Sequence, residues 1–219
     1  MKATVASLLL LSAIHASAAF SINLPGNTET GTWSNLYEPT PPPAASTGPA
    51  LNSLIAASGS SAVFSTKSGS PMYTGTGSGL YTGFSPGAFS VSDSSPIADL
   101  ATIVFQARLN FEFTSVTLSL NGASTGPLAG IVPGFALSAL APTEGQSDYA
   151  WQWDLSGISE EITSYEITFT TQAHTAIYVS SPLTVHTSDS FVQVVPEPTT
   201  GLLAIAPLAF VVLRRRRAA

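Results

Sequence analysis

The chain has 219 residues, of which 9% are charged and none is cysteine, so neither disulfides nor thiolate metal sites support its fold. The formal net charge is -6, but residues 19–195 hold two basic residues, Lys67 and Arg108, against twelve acidic ones, a net -10. That balance repels phosphate backbones and excludes a nucleic-acid partner, while a body of this length buries enough apolar surface to stand without staples.

The N-terminal stretch "MKATVASLLLLSAIHASAAF" opens with Lys2, continues with an apolar run over residues 5–14, and reaches Ala16-Ser17-Ala18. A short positive region, an apolar core and small residues at both positions read by signal peptidase make residues 1–18 a secretory signal peptide, with Ala16 and Ala18 at the cleavage site. Residues 19–60 follow as an N-terminal segment. Trp33 and Tyr37 mark something there that packs, whether residues 20–37 supply an edge strand to the sandwich is open, and "PTPPPAASTGP" at 39–49 is an extended linker or loop.

The β-sandwich ectodomain is expected over residues 61–195. Gly-rich "YTGTGSGLYTG" at 73–83 lacks the Lys-Ser/Thr of a phosphate loop and reads as a flexible hairpin region. A strand is expected near 87–92. Over 101–120, Ile103, Phe105, Ala107 and Leu109 share a face, Phe111 and Phe113 follow in phase, and Val116, Leu118 and Leu120 are one step out. A slip at Thr114-Ser115 predicts a β-bulge or kink, and Asn121-Gly122 a tight turn. Another strand is expected at 131–140. Tyr149, Trp151, Trp153 and Leu155 alternate with Ala150, Gln152 and Asp154, which predicts one aromatic face buried and the other in water. In "ITSYEITFT" at 162–170, Tyr165, Ile167 and Phe169 point inward and Glu166 outward. Strands near 176–180 and 183–195 complete the body. Many short strands with Gly, Pro and Ser turns predict an all-β fold, a two-sheet antiparallel β-sandwich of jelly-roll type. A signal helix precedes it and a short membrane helix follows it.

Residues 196–219 read "PEPTTGLLAIAPLAFVVLRRRRAA". Pro196, Glu197 and Pro198 precede an apolar run at 201–213 that ends at Arg214, Arg215, Arg216 and Arg217. The run would make roughly 20 Å of helix, short of the ~30 Å hydrocarbon core, and Pro207 interrupts it. Positive residues beside a membrane segment stay on the cytoplasmic side, which leaves the body outside. A weak anchor behind an exported domain is the logic of a removable tail. The triplet, apolar helix and arginine cluster, in that order, resemble the PEP-CTERM sorting signal of Gram-negative bacteria. The resemblance covers this tail alone. It implies recognition by an exosortase, a membrane-embedded cysteine transpeptidase that cuts near the triplet. It further implies transient anchoring in the inner membrane and release to the cell surface or matrix, in bacteria that make exopolysaccharide and biofilm.

No chemistry-bearing motif accompanies the body. The mature body's histidines are His174, expected in a loop, and His186, expected on a strand, and no Gly-x-Ser-x-Gly elbow is present. The carboxylates Glu112, Asp148, Asp154, Glu160, Glu161 and Glu166 read as solvated charge rather than a facing pair. Asp148 with Asp154, and Asp93 with Asp99, are weighed as calcium ligands, but no loop signature supports them. Trp151 and Trp153 read as core rather than sugar-stacking platforms. The expectation is therefore a non-enzymatic surface or matrix protein with no cofactor and no catalytic, cofactor-binding or metal site. Its body is a structural or interaction module, with exosortase and signal peptidase as processing partners and exopolysaccharide as a further partner. A carbohydrate-binding module and a secreted hydrolase are the alternatives.

Overall fold

A computed structural model describes residues 22–36, 48–73, 79–122, 146–179 and 183–194. The expected signal and tail helices, the strand at 131–140 and Tyr37 lie outside these residues. No helix occurs among the described ones; twelve strands do. They are β1 (Thr28–Trp33), β2 (Leu54–Ala56), β3 (Val63–Ser68), β4 (Met72–Tyr73), β5 (Leu80–Tyr81), β6 (Ala88–Asp93), β7 (Thr102–Leu109), β8 (Ser115–Leu120), β9 (Ser147–Asp154), β10 (Tyr165–Thr170), β11 (Ala176–Tyr178) and β12 (Leu183–Ser188).

These strands form two antiparallel sheets around one core. The smaller has the order β2-β3-β6-β10-β8, and the larger runs β1-β12-β7-β11-β5-β4 with β9 also on β7. β7 is the hub of the larger sheet. β9 pairs with it from Thr102↔Asp154 to Leu109↔Ser147. β12 pairs with residues 102–106 of β7, and β11 with Arg108 and Leu109, so these two strands follow one another along its opposite edge. β1 continues from β12 and β5 from β11. One wide edge thus divides into two narrower arms, and the sheet is strongly curled.

Period-two alternation accounts for the inner faces. Phe105, Ile103 and Leu109 of β7, Trp151 and Trp153 of β9, and Ile167 and Phe169 of β10 are buried as their phase predicts. The aromatics make a continuous stack between the sheets. Phe64 meets Phe89 at 5.7 Å, Phe89 meets Phe169 at 5.7 Å, and Phe169 meets Phe105 at 5.2 Å across the gap. Burying each such ring stabilises the fold by about 1.5–3 kcal/mol, and each well-placed pair adds about 0.5–1.5 kcal/mol.

Three expectations are corrected. The phase slip at Thr114-Ser115 is neither a bulge nor a kink within one sheet: β7 belongs to the larger sheet and β8 to the smaller, so the slip marks a crossing between them. Phe113 fastens that crossing, stacking on Phe169 at 4.5 Å and Trp151 at 5.2 Å. The second face of β9 meets water at Asp154 but not in the middle of the strand: Ala150 and Gln152 are 2% and 7% exposed, because Ile22, Leu24 and Val194 lie over Ala150 and Val104. And the sandwich does not begin at residue 61. β1 pairs with β12 and β2 with β3, and the Trp33 indole N–H donates to the Ile55 carbonyl at 2.8 Å, tying the two sheets together.

Candidate functional site

The residues expected to carry sorting, Pro196, Glu197, Pro198, Arg214, Arg215, Arg216 and Arg217, and the cleavage residues Ala16 and Ala18, lie outside the described residues. The chain next to them is described at both ends, from Ile22 and up to Val194, and both ends lie on one patch. Ile22, Leu24 and Val194 share the outer face of β7 and β9. Gln152 projects from that face and grips the C-terminal segment twice. Its amide nitrogen donates to the Val192 carbonyl at 2.7 Å, and its amide oxygen accepts from the Val194 N–H at 3.0 Å. The N-terminal segment is tied alongside. Asn27 N–H donates to the Asp189 carboxylate at 3.0 Å, Asp189 N–H returns to the Asn27 carbonyl at 3.2 Å, and Ser188 Oγ donates to the Pro25 carbonyl. The turn beside these bonds requires glycine: Gly26 has φ +79°, and a Cβ there would lie 1.9 Å from Asp189 Oδ1. The alternation of β9 did not reveal Gln152, since a polar residue on the non-aromatic face reads as solvated.

The candidate acids are engaged separately. Asp148 holds Arg108 through two hydrogen bonds of 2.7 and 2.8 Å, which raise the guanidinium's already high pKa. Glu166 pairs with Lys67 at 2.8 Å, and the lysine holds its carboxyl below the usual range. Asp154, at the other end of β9 from Asp148, accepts from the Ser156 N–H and hydroxyl. Glu160 and Glu161 line an open cleft of about 840 Å³ with Asp99 and Asp189, and Glu112 is exposed. Among the described residues no three His, Asp or Glu groups converge as a metal site. Glu29 and Asp93 do influence each other. Burial raises the pKa of Glu29 and the charge of Asp93 adds to it, and both acids push the buried Tyr165 hydroxyl upward after burial itself. Asp93 spends its carboxylate on Ser61 Oγ at 2.6 Å and Ser95 N–H at 2.9 Å, which closes the loop after β6.

The histidines occupy different settings. His186 lies on β12, flanked by β1 and β7. Gln106 Oε1 can only accept, so Nε2–H donates to it at 3.1 Å, and Nδ1 accepts from Thr30 Oγ1 at 3.0 Å. Burial lowers its pKa to about 4, so the ring is neutral at physiological pH. His174 lies in the loop before β11, as expected, with φ 63°. Its Nδ1 bonds the Tyr81 hydroxyl, and its ring meets Phe84 edge-on at 5.1 Å.

Comparison with protein-family models, curated proteins and solved structures gives no match for this chain.

The aromatic distribution separates core from surface. All three tryptophans are buried, Trp33 at 1%, Trp151 at 5% and Trp153 at 3% exposure, so none offers a ring face to a sugar. Phe84 does, at 88% exposure. A lone Phe within Gly-Phe-Ser-Pro-Gly, where a turn has no core to enter, was the signal available in the sequence.

Proposed function

We propose that this chain is an exported surface or extracellular-matrix protein, sorted by an exosortase-type transpeptidase through residues 196–219. The order of the Pro-Glu-Pro triplet, short apolar run and four arginines carries this reading. In it, Pro196, Glu197 and Pro198 are the recognition motif. The apolar run holds the chain transiently in the inner membrane, and Arg214, Arg215, Arg216 and Arg217 stop transfer. The body works outside the membrane as a structural or interaction module in an exopolysaccharide setting. Its winding fits a jelly roll: β6, β7, β8, β9, β10 and β12 lie alternately in the smaller and the larger sheet. The adjacency of Ile22 and Val194 suits a domain held at one membrane surface from both ends before processing.

Intact-mass analysis of the exported protein tests the proposal. The wild-type chain is expected to lose residues beyond the triplet region when the transpeptidase is present. Glu197→Ala, or deletion of residues 214–217, is expected to leave the tail attached. Unchanged maturation in both variants would refute the sorting mechanism.

A further inference from the structure

Among the described large hydrophobic side chains Phe84 is the most exposed. A mobile loop would explain this cheaply, yet the surrounding backbone is fastened on several sides. The His174 N–H donates to the Gly83 carbonyl at 2.7 Å, and the Thr82 N–H to the Thr175 carbonyl at 2.9 Å. Thr82 Oγ1 accepts from the Thr175 N–H at 3.1 Å. Asn110 closes the cluster, its amide donating to the His174 carbonyl at 2.9 Å and accepting from the Ala176 N–H at 2.7 Å. The ring is therefore held outward by a stiff base, which lowers the entropy lost when a ligand settles on it.

One neighbour forms a wall. His174 stands at 83° to the Phe84 ring, and Tyr81 in turn lies 6.0 Å from His174. His174 keeps a side chain at φ 63°, a left-handed conformation that is unfavourable for a non-glycine residue.

Size and charge select the partner. A stable protein interface needs about 800 Å² per partner, far more than one or two ring faces supply. The body's two basic side chains are already paired, Lys67 with Glu166 and Arg108 with Asp148, which leaves no cation for an acidic ligand on a body of net -10. A hexose ring matches what remains. Its C–H face is apolar and ring-sized, and its hydroxyls bond to neutral amide and hydroxyl groups. We propose that Phe84, flanked by His174, is a binding platform for hexose rings of a neutral polysaccharide. The site deepens the interaction-module reading of the body and is independent of the tail mechanism.

Native affinity electrophoresis tests it. The full chain, in a polyoxyethylene detergent that carries no sugar headgroup, is run through gels containing dextran, soluble β-glucan, galactomannan or acidic alginate. Retardation of the wild type in at least one neutral gel is expected. Phe84→Ala should weaken it about tenfold. His174→Gly, which suits the left-handed backbone, should weaken it about threefold without lowering the melting temperature. Leu54→Ala, which removes a 66% exposed side chain elsewhere, should leave it unchanged. No retardation in any neutral gel, retardation by alginate alone, or equal binding by Phe84→Ala overturns the platform. Intact mass of the same Phe84→Ala protein follows tail removal, so a failed platform and a failed sorting reading are distinguished.

Discussion

Gln152→Leu removes the amide that joins the C-terminal segment to β9 while keeping a side chain of similar volume. Two backbone groups then lose their partner, the Val192 carbonyl at 2.7 Å and the Val194 N–H at 3.0 Å. Leaving such groups unsatisfied costs about 1–3 kcal/mol each where they stay buried. The segment is at the surface, so it has a cheaper response, which is to lift away and take water as partner. That response forfeits the packing of Val194 over Val104 and Ala150. A net loss of about 1–3 kcal/mol follows, or roughly 2–12 °C in melting temperature for a chain of this size. Hydrogen exchange separates detachment from general weakening. In the variant the Val194 amide should lose protection, while amides of β7 and β9 at their mutual pairing keep theirs. Unchanged protection at Val194 would refute the clamp, because the Gln152 oxygen is the acceptor assigned to that N–H.

Two further outcomes follow from buried polar groups. His186 has a folded pKa of about 4, lowered from 6.5 by burial. The native state thus binds fewer protons than the unfolded chain. Its contribution is present in full above pH 6.5, falls as pH drops from 6.5 to 4, and is lost below that, on the order of 3 kcal/mol in all. Urea unfolding at pH 7 and pH 4 should show a smaller acid loss in His186→Gln than in wild type; equal losses would remove the assignment. Trp33→Phe keeps an aromatic ring between β1 and β2 but deletes the 2.8 Å bond to the Ile55 carbonyl. A loss of about 1–3 kcal/mol is expected by chemical denaturation, and a neutral substitution would show that the bond does not bind the sheets together.

The amino-acid sequence by itself determined the strand character of the body and the inward faces of β7, β9 and β10. Ile103 and Phe105, Trp151 and Trp153, Ile167 and Phe169 repeat with period two, and that period is a local property of an extended backbone. It also yielded the expectation for the two ends, since a signal peptide and the triplet, apolar and arginine run are linear patterns read by other proteins. The tertiary structure alone decided what covers each second face. Gln152 and its neighbour Ala150 are buried because residues 192–194 land on the first and Ile22 and Leu24 on the second, all distant from them in the chain. His186 is neutral because β1 and β7 close around it. Phe84 stands out because the loop before β11 props its base while no other described segment covers it. Alternation says which side chains leave one side of a strand; whether that side meets water, core or another stretch of chain depends on contacts between residues far apart in sequence, which no local period encodes.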